Sequence, residues 1–198
     1  MLPKNPLLQL TAPRVRNTLD QVRESIWSTK SAVRLRFLGN GPDYLPLEQV
    51  RERAGDQVTL PFPWGKLFDH GWFALEFPAP VEEGDYLRWD DQGEGTLYID
   101  GEPYAGFDTC HKEWPLPAGV QTAFMEGLCL QRGVWGGKQD GLDAQGSTLH
   151  TAEVVRRDER AWKAFHDMEA LFLLAQDEAL RTGDRQGLQT GGAHYKSP

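Results

Sequence analysis

WGKLFDHGWFALEFPAPVEEGDYLRWDDQGEGTLYIDGEPYAGF, residues 64–107, decides the fold of this 198-residue chain. Within it, WFALEF (72–77) sets Phe73, Leu75 and Phe77 on one face and Trp72, Ala74 and Glu76 on the other, the period-two spacing of a strand. Pro78-Ala79-Pro80 stops that run, because proline cannot donate to a β-ladder and biases its predecessor away from helix. After Glu83-Gly84-Asp85, residues 86–90 alternate again, and the tip Asp91-Gln92-Gly93-Glu94-Gly95 leads into a third strand over 96–99. Asp100-Gly101 is a tight-turn signal, since glycine accepts positive φ and aspartate hydrogen-bonds the local backbone. The simplest expectation is an antiparallel meander of neighbouring strands within a sandwich.

Outward from this stretch the pattern changes twice. Val15, Leu19, Val22 and Ile26 recur at helical spacing, which predicts an amphipathic helix over 14–27. A strand over 33–38, a Gly39-Asn40-Gly41-Pro42 turn and a segment 45–50 open to either short helix or loop follow. VTLPFP (58–63) reads as an edge strand interrupted by prolines. Strands are expected over 122–131 and 148–155, then a long helix over 156–180 with Trp162, Phe165, Leu171, Phe172 and Ala175 on one broad stripe. From Thr182 the chain is glycine-rich with few apolar residues, so a disordered tail is expected. The fold class that follows is mainly β: a β-sandwich, jelly-roll or galactose-binding-like, with an amphipathic helix before it and a long helix after it. The expected segments are 1–29 with its helix, the sandwich over 30–155, a connecting helix over 156–181 and the tail over 182–198.

A chain of this length suits one domain with its own core. Lys plus Arg number 21 against 29 Asp plus Glu, a net charge of −8, and no basic run stands out, so nucleic acid and anionic membrane are not expected partners. The amino terminus has no sustained apolar run of the kind found in a secretory signal or anchor, which makes a cytoplasmic location the expectation. Two cysteines, Cys110 and Cys129, are too few for a disulfide framework and are expected to be reduced.

Trp89-Asp90, Glu94-Gly95, Asp100-Gly101-Glu102-Pro103 and Gly106 together resemble the WD…EG…DGEP…G run in the amino-terminal domain of glycoside hydrolase family 38 α-mannosidases. Trp64-Gly65 and Trp72-Phe73 are similar to tryptophan pairs that open that domain, although the loop between them departs from the family's spelling. FMEGLCLQRGVWG (124–136) resembles its late strand and glycine-aromatic-glycine corner, and 153–174 its following helix, so the likeness covers roughly residues 10–180. The resemblance implies a parent enzyme that hydrolyses α-mannosides in glycan breakdown by a zinc-assisted retaining mechanism. It also implies that the chemistry sits in a separate α/β catalytic domain marked by a His-x-Asp ligand pair and an aspartate nucleophile. This chain contains no His-x-Asp. The expectation is therefore a truncated product or fragment that holds no cofactor, with zinc confined to the absent catalytic domain. Its expected partner is that catalytic domain, or other subunits, through the 156–181 helix.

The residue chemistry is consistent with a frame without machinery. His70, His111, His150, His166 and His194 are scattered, and Cys110-His111 with Glu113 is the densest set of ligand types. An ordinary loop-to-strand junction explains that set better than a metal site. Asp90, Asp91, Glu94, Asp100 and Glu102 crowd one segment, and glycosidases need paired carboxyls, but aspartates beside glycines are turn formers. His166-Asp167 sits on a helix, where neighbours do not face each other. There is no Gly-x-Ser-x-Gly elbow, Walker loop or Gly-x-Gly-x-x-Gly after a strand. No catalytic residue is assigned.

Seven tryptophans remain. Trp72, Trp89 and Trp162 lie within periodic elements and are expected to pack. Trp64, Trp114 and Trp135 stand beside glycine or proline in expected loops, and are the candidates to stack on a mannoside. Three readings follow: a non-catalytic accessory domain of an α-mannosidase, a free-standing carbohydrate-binding module, and a small metal-dependent sandwich enzyme of the cupin kind. The motif series favours the first, because it runs through several strands in the family's order.

Overall fold

The computed structural model describes residues 6–130 and 146–181, with side chains described over 11–130 and 146–177. In chain order the elements are α1 (Pro6–Glu24), β1 (Trp27–Ala32), β2 (Arg34–Gly41), α2 (Leu47–Val50), β3 (Asp56–Gln57), β4 (Phe62–Trp64) and β5 (His70–Glu76). There follow β6 (Asp85–Asp90), β7 (Glu94–Ile99), β8 (Glu102–Phe107), β9 (Glu113–Pro115), β10 (Thr122–Leu128), β11 (Ser147–Leu149), β12 (Thr151–Arg157) and α3 (Glu159–Arg181). The protein is mainly β, a sandwich with a helix before it and a long helix after it. Contacts divide the described residues into two compact units, one within 29–156 and one of 6–28 with 157–181.

The β unit carries a six-stranded sheet in the order β3-β2-β5-β10-β7-β8, a four-stranded sheet in the order β1-β12-β6-β9, and the pair β11-β4. Phe73, Leu75, Leu97, Ala123, Met125, Ala105 and Phe107 from the first meet Leu87, Trp89, Ala152 and Val154 from the second in one buried cluster. Strand alternation therefore does what the spacing predicts, burying alternate residues of β6 and β10. The meander is corrected. β6 leaves for the other sheet, and β10 lies between β5 and β7, pairing with both. Among the described residues only β7 and β8 form a local hairpin, closed by Asp100 (φ 54°) and Gly101 (φ 87°) in the left-handed region that the Asp-Gly signal implies. Two local sequences that each alternate well cannot announce which remote strand will pair with them.

The core has an aromatic spine. Phe37, Phe62, Trp64 and Trp89 all surround Phe73, with ring centroids 5.0, 6.3, 5.5 and 5.3 Å away. Trp64 fits because Gly71 and Gly127 stand side by side across β5 and β10. A Cβ on Gly71 would come within 2.5 Å of the Trp64 ring, and one on Gly127 within 2.9 Å. The glycines thus form a trough in the inner face of the sheet for one indole. On the outer face of the same sheet, segment 45–50, which contains α2, covers a second cluster: Leu38, Leu47, Val50, Trp72 and Ala74. The open alternative at 45–50 resolves as a one-turn helix because Leu47 and Val50, three apart, both reach this cluster.

One fully buried carboxylate staples the four-stranded sheet. Asp85 accepts from Lys30 Nζ at 2.7 Å, Arg156 at 2.7 Å and the Glu82 backbone N–H at 2.8 Å. Burial pushes the Asp85 carboxyl up, but these donors outweigh it and hold the carboxyl below its ordinary value.

In the helical unit, α1 and α3 pack antiparallel: Arg23 lies over Phe165, and Arg16 over Phe172. Leu19, Ile26 and Phe165 are buried there, with Val15, Val22, Ala161, Met168 and Phe172 packed around them. Two expectations change. The first helix ends at Glu24, and Trp27 opens β1 instead. The stripe on the last helix splits, because Phe165 and Phe172 face α1 while Leu171 stands 67 % exposed and Trp162 37 %. Among the described residues no helix is long and apolar enough to cross a membrane. The expected tail over 182–198 lies outside the described residues.

Candidate functional site

Polar side chains gather at one end of the six-stranded sheet, where β2 ends, β5 begins, β10 ends and the 91–93 tip connects β6 to β7. The local causes are readable. A bulge between Phe37 and Gly39 twists the end of β2, with Gly39 at φ 113°, so Asn40 reaches Asp69. Asn40 Nδ2 donates to Asp69 Oδ2 at 2.6 Å, and the Lys66 backbone N–H donates to the same oxygen at 2.9 Å. Next to Asp69, Phe68 holds φ 66°, a left-handed conformation that costs a side-chain-bearing residue about 1–2 kcal/mol. Its N–H donates to the Cys129 carbonyl at 2.8 Å, which fixes the turn against β10.

His70 and Glu126 meet diagonally across β5 and β10, with His70 Nδ1 2.9 Å from Glu126 Oε1. Tyr44 meets the His70 ring edge-on at 5.7 Å. Burial, then hydrogen bonding with Tyr44 and the nearby Glu126 carboxylate, raise the Tyr98 phenol well above its ordinary range. Glu126 is only 13 % exposed at its side chain. Beside this network is a cleft of about 150 Å3, lined by Asn40, Asp43, Leu45, Arg53, His70 and Trp72 among others. The Trp72 indole N–H donates to the Leu45 carbonyl at 3.0 Å, tying the covering segment to the sheet.

Asp91 and Cys129 lie deeper. Asp91 is 3 % exposed, and its Oδ1 accepts from the Gly93 N–H at 3.0 Å. Burial raises its carboxyl above the ordinary value, opposed by that bond and by the nearby Trp89 indole, which stops short of good hydrogen-bond geometry. The Cys129 thiol is also raised, by burial first, with Ser147 opposing and the Asp69 and Asp91 charges adding to the rise. A raised thiol is a poor nucleophile. Both cysteines are free, Cys110 exposed and Cys129 buried.

The three tryptophans singled out from the sequence scatter. Trp64 belongs to β4 and is 4 % exposed in the core, so its ring is not offered to a ligand; proline and glycine neighbours mark the end of a buried strand here, not a loop. Trp114 sits in the edge strand β9 at 39 % exposure, again in a strand where a loop was expected. Trp135 lies outside the described residues. Of the crowded carboxylates, Asp90 pairs with Lys112 at 2.8 Å and Asp91 is buried, whereas Glu94, Asp100 and Glu102 are exposed on and beside the β7-β8 hairpin. The set Cys110, His111 and Glu113 is divided: His111 pairs with Asp108 at 2.8 Å, whereas Arg88 binds Glu113 at 2.8 Å. The His111 side chain and two backbone N–H groups hold Asp108 down to about 2. Zinc does not fit this arrangement, because the carboxylate it would need is already committed to a guanidinium. Among the described residues no group of three or more His, Cys, Asp or Glu is placed to hold a metal ion.

Sequence reasoning missed His70, Glu126, Asn40 and Asp69 because Asn40, the Asp69-His70 pair and Glu126 lie in three separate segments of the chain. The signal that could have found them was the Gly-Asn-Gly end of β2, an unusual place for three turn residues in a strand. No protein-family model matches the chain, and no curated protein matches it.

Proposed function

We propose that this chain is the non-catalytic amino-terminal β-domain of a glycoside hydrolase family 38 α-mannosidase, serving assembly rather than hydrolysis. The observation that carries the reading is that the resembling residues have framing roles. Trp89 is buried against Phe73, Gly95 passes against Glu126 and Met125, and Asp100-Gly101 turns the β7-β8 hairpin. Residues of this kind recur in a family because they shape a sandwich, and fold likeness by itself carries no activity. A second support is α3, whose Leu171 and Leu174, one turn apart, stand exposed together while Phe165 and Phe172 pack on α1. In this reading that leucine face meets the catalytic domain, which would supply the zinc and the aspartate nucleophile.

The test is the DNA that follows the codon for Pro198. A reading frame encoding a His-x-Asp segment, in register or shifted, is the expected result; unrelated sequence overturns the proposal. Purified chain given zinc and 4-nitrophenyl α-mannoside should release no nitrophenol, and turnover would equally overturn it.

A further inference from the structure

We propose that the cleft beside His70 is a binding site for one neutral polyhydroxylated ring, a monosaccharide unit. The proposal is independent of whether a catalytic domain follows. A cavity of about 150 Å3 is of the size that accepts a single six-membered ring. Pro42 and Leu45 give part of the lining apolar character and offer van der Waals contact to the C–H face of such a ring, while Trp72, 2 % exposed, stays within the buried cluster of the outer face.

The polar lining selects hydroxyls. Asp43 only accepts hydrogen bonds and Arg53 only donates, while Asn40 offers its amide oxygen as an acceptor and His70 its Nε2. A hydroxyl, both donor and acceptor, is satisfied by such a mixed set, whereas a phosphate would meet the Asp43 carboxylate and an amine would meet the Arg53 guanidinium. Both charged groups are exposed, so their attraction for a zwitterion is screened and weak.

The lining is also held in place before any ligand arrives. Glu126 fixes His70 through Nδ1, leaving Nε2 as the ring's remaining hydrogen-bonding atom, while Tyr44 packs on the imidazole edge. Asp69, 8 % exposed, fixes Asn40 through its amide nitrogen, leaving the amide oxygen. A nearly buried Glu126 on the outer face of a sheet is costly if it serves packing alone, since Phe124 and Trp72 on the same face bury apolar surface instead. Orienting a binding imidazole gives it a role.

The experiment is a titration of the full chain with methyl α-mannoside and methyl α-glucoside, followed by backbone and indole 15N–1H spectra, with glycine and inorganic phosphate as comparison ligands. Saturable shifts at Asn40, His70 and the Trp72 indole are expected with at least one glycoside, at Kd of about 1–10 mM, the range of a site with few hydrogen bonds. Arg53→Ala and Asp43→Ala alter exposed side chains and leave the fold intact; each should weaken binding about threefold to tenfold, the loss of one modest hydrogen bond. Shifts confined to Trp114, saturation by glycine or phosphate in place of glycosides, or no saturable shift with either sugar would each overturn the assignment. Those outcomes leave the reading-frame test of the accessory-domain proposal untouched.

Discussion

Replacing Asp85 by asparagine removes one charge at the most connected point of the four-stranded sheet and keeps the side chain's shape. Lys30, Arg156 and the Glu82 N–H all converge on this fully buried carboxylate. Breaking a buried pair on one side typically costs about 3–5 kcal/mol, because the remaining charge is stranded. Here both cations are partly solvated and keep Glu82 as a second partner at 2.9 Å, so the expected loss is smaller, about 2–3 kcal/mol. For a unit of this size that lowers Tm by about 6–12 °C. The sign with pH follows from the direction of the shift. The Asp85 carboxyl is held below its ordinary value of 3.8, so its stabilisation is present above that value and is lost as pH falls through the lower folded-state value. Urea unfolding followed by circular dichroism at pH 7 and in steps below pH 4 checks both points. The Asp85→Asn deficit should be full at pH 7 and narrow on acidification. A deficit under about 1 kcal/mol at pH 7, or one that stays constant down to pH 3, would refute the idea that charge, not shape, makes Asp85 stabilising.

Two further substitutions probe the packing. Gly71→Ala should cost about 1–3 kcal/mol and alter the near-ultraviolet signal of Trp64, because the new Cβ would meet that ring. Gly106→Ala, with nothing within 4 Å, should stay within about 0.5 kcal/mol, and equal losses at the two sites in urea titrations would discredit the trough. In the helical unit, Phe165→Ala should cost about 3–5 kcal/mol, whereas Leu174→Ala on the exposed face should cost under about 0.5 kcal/mol, read by thermal loss of helical signal. A large loss at Leu174 would mean that face is already covered within the chain.

The candidate site was much less legible than the fold. Strand faces in β5, β6 and β10, the Asp-Gly turn and the long last helix follow from spacing, since period and turn chemistry act within a few residues. Trp64 and Trp114 were placed in loops because glycine and proline neighbours weaken a strand pattern; burial of the Trp64 indole in its glycine trough overrode that weakness. Asp91 read as a solvated turn former, yet the tip that carries it folds inward against Gly127. The His70–Glu126 pair joins residues 56 apart, a separation no local pattern spans.

By itself the sequence determined a β-rich chain flanked by helices, and it determined the motif series from Trp89 to Gly106. Only the tertiary structure decided that β10 enters between β5 and β7, that β6 crosses to the second sheet, and that Gly71 and Gly127 align against Trp64. The physical reason is range: side-chain alternation and turn propensity are properties of neighbouring residues, whereas strand partners are chosen by how much apolar surface the whole chain can bury once its loops are closed.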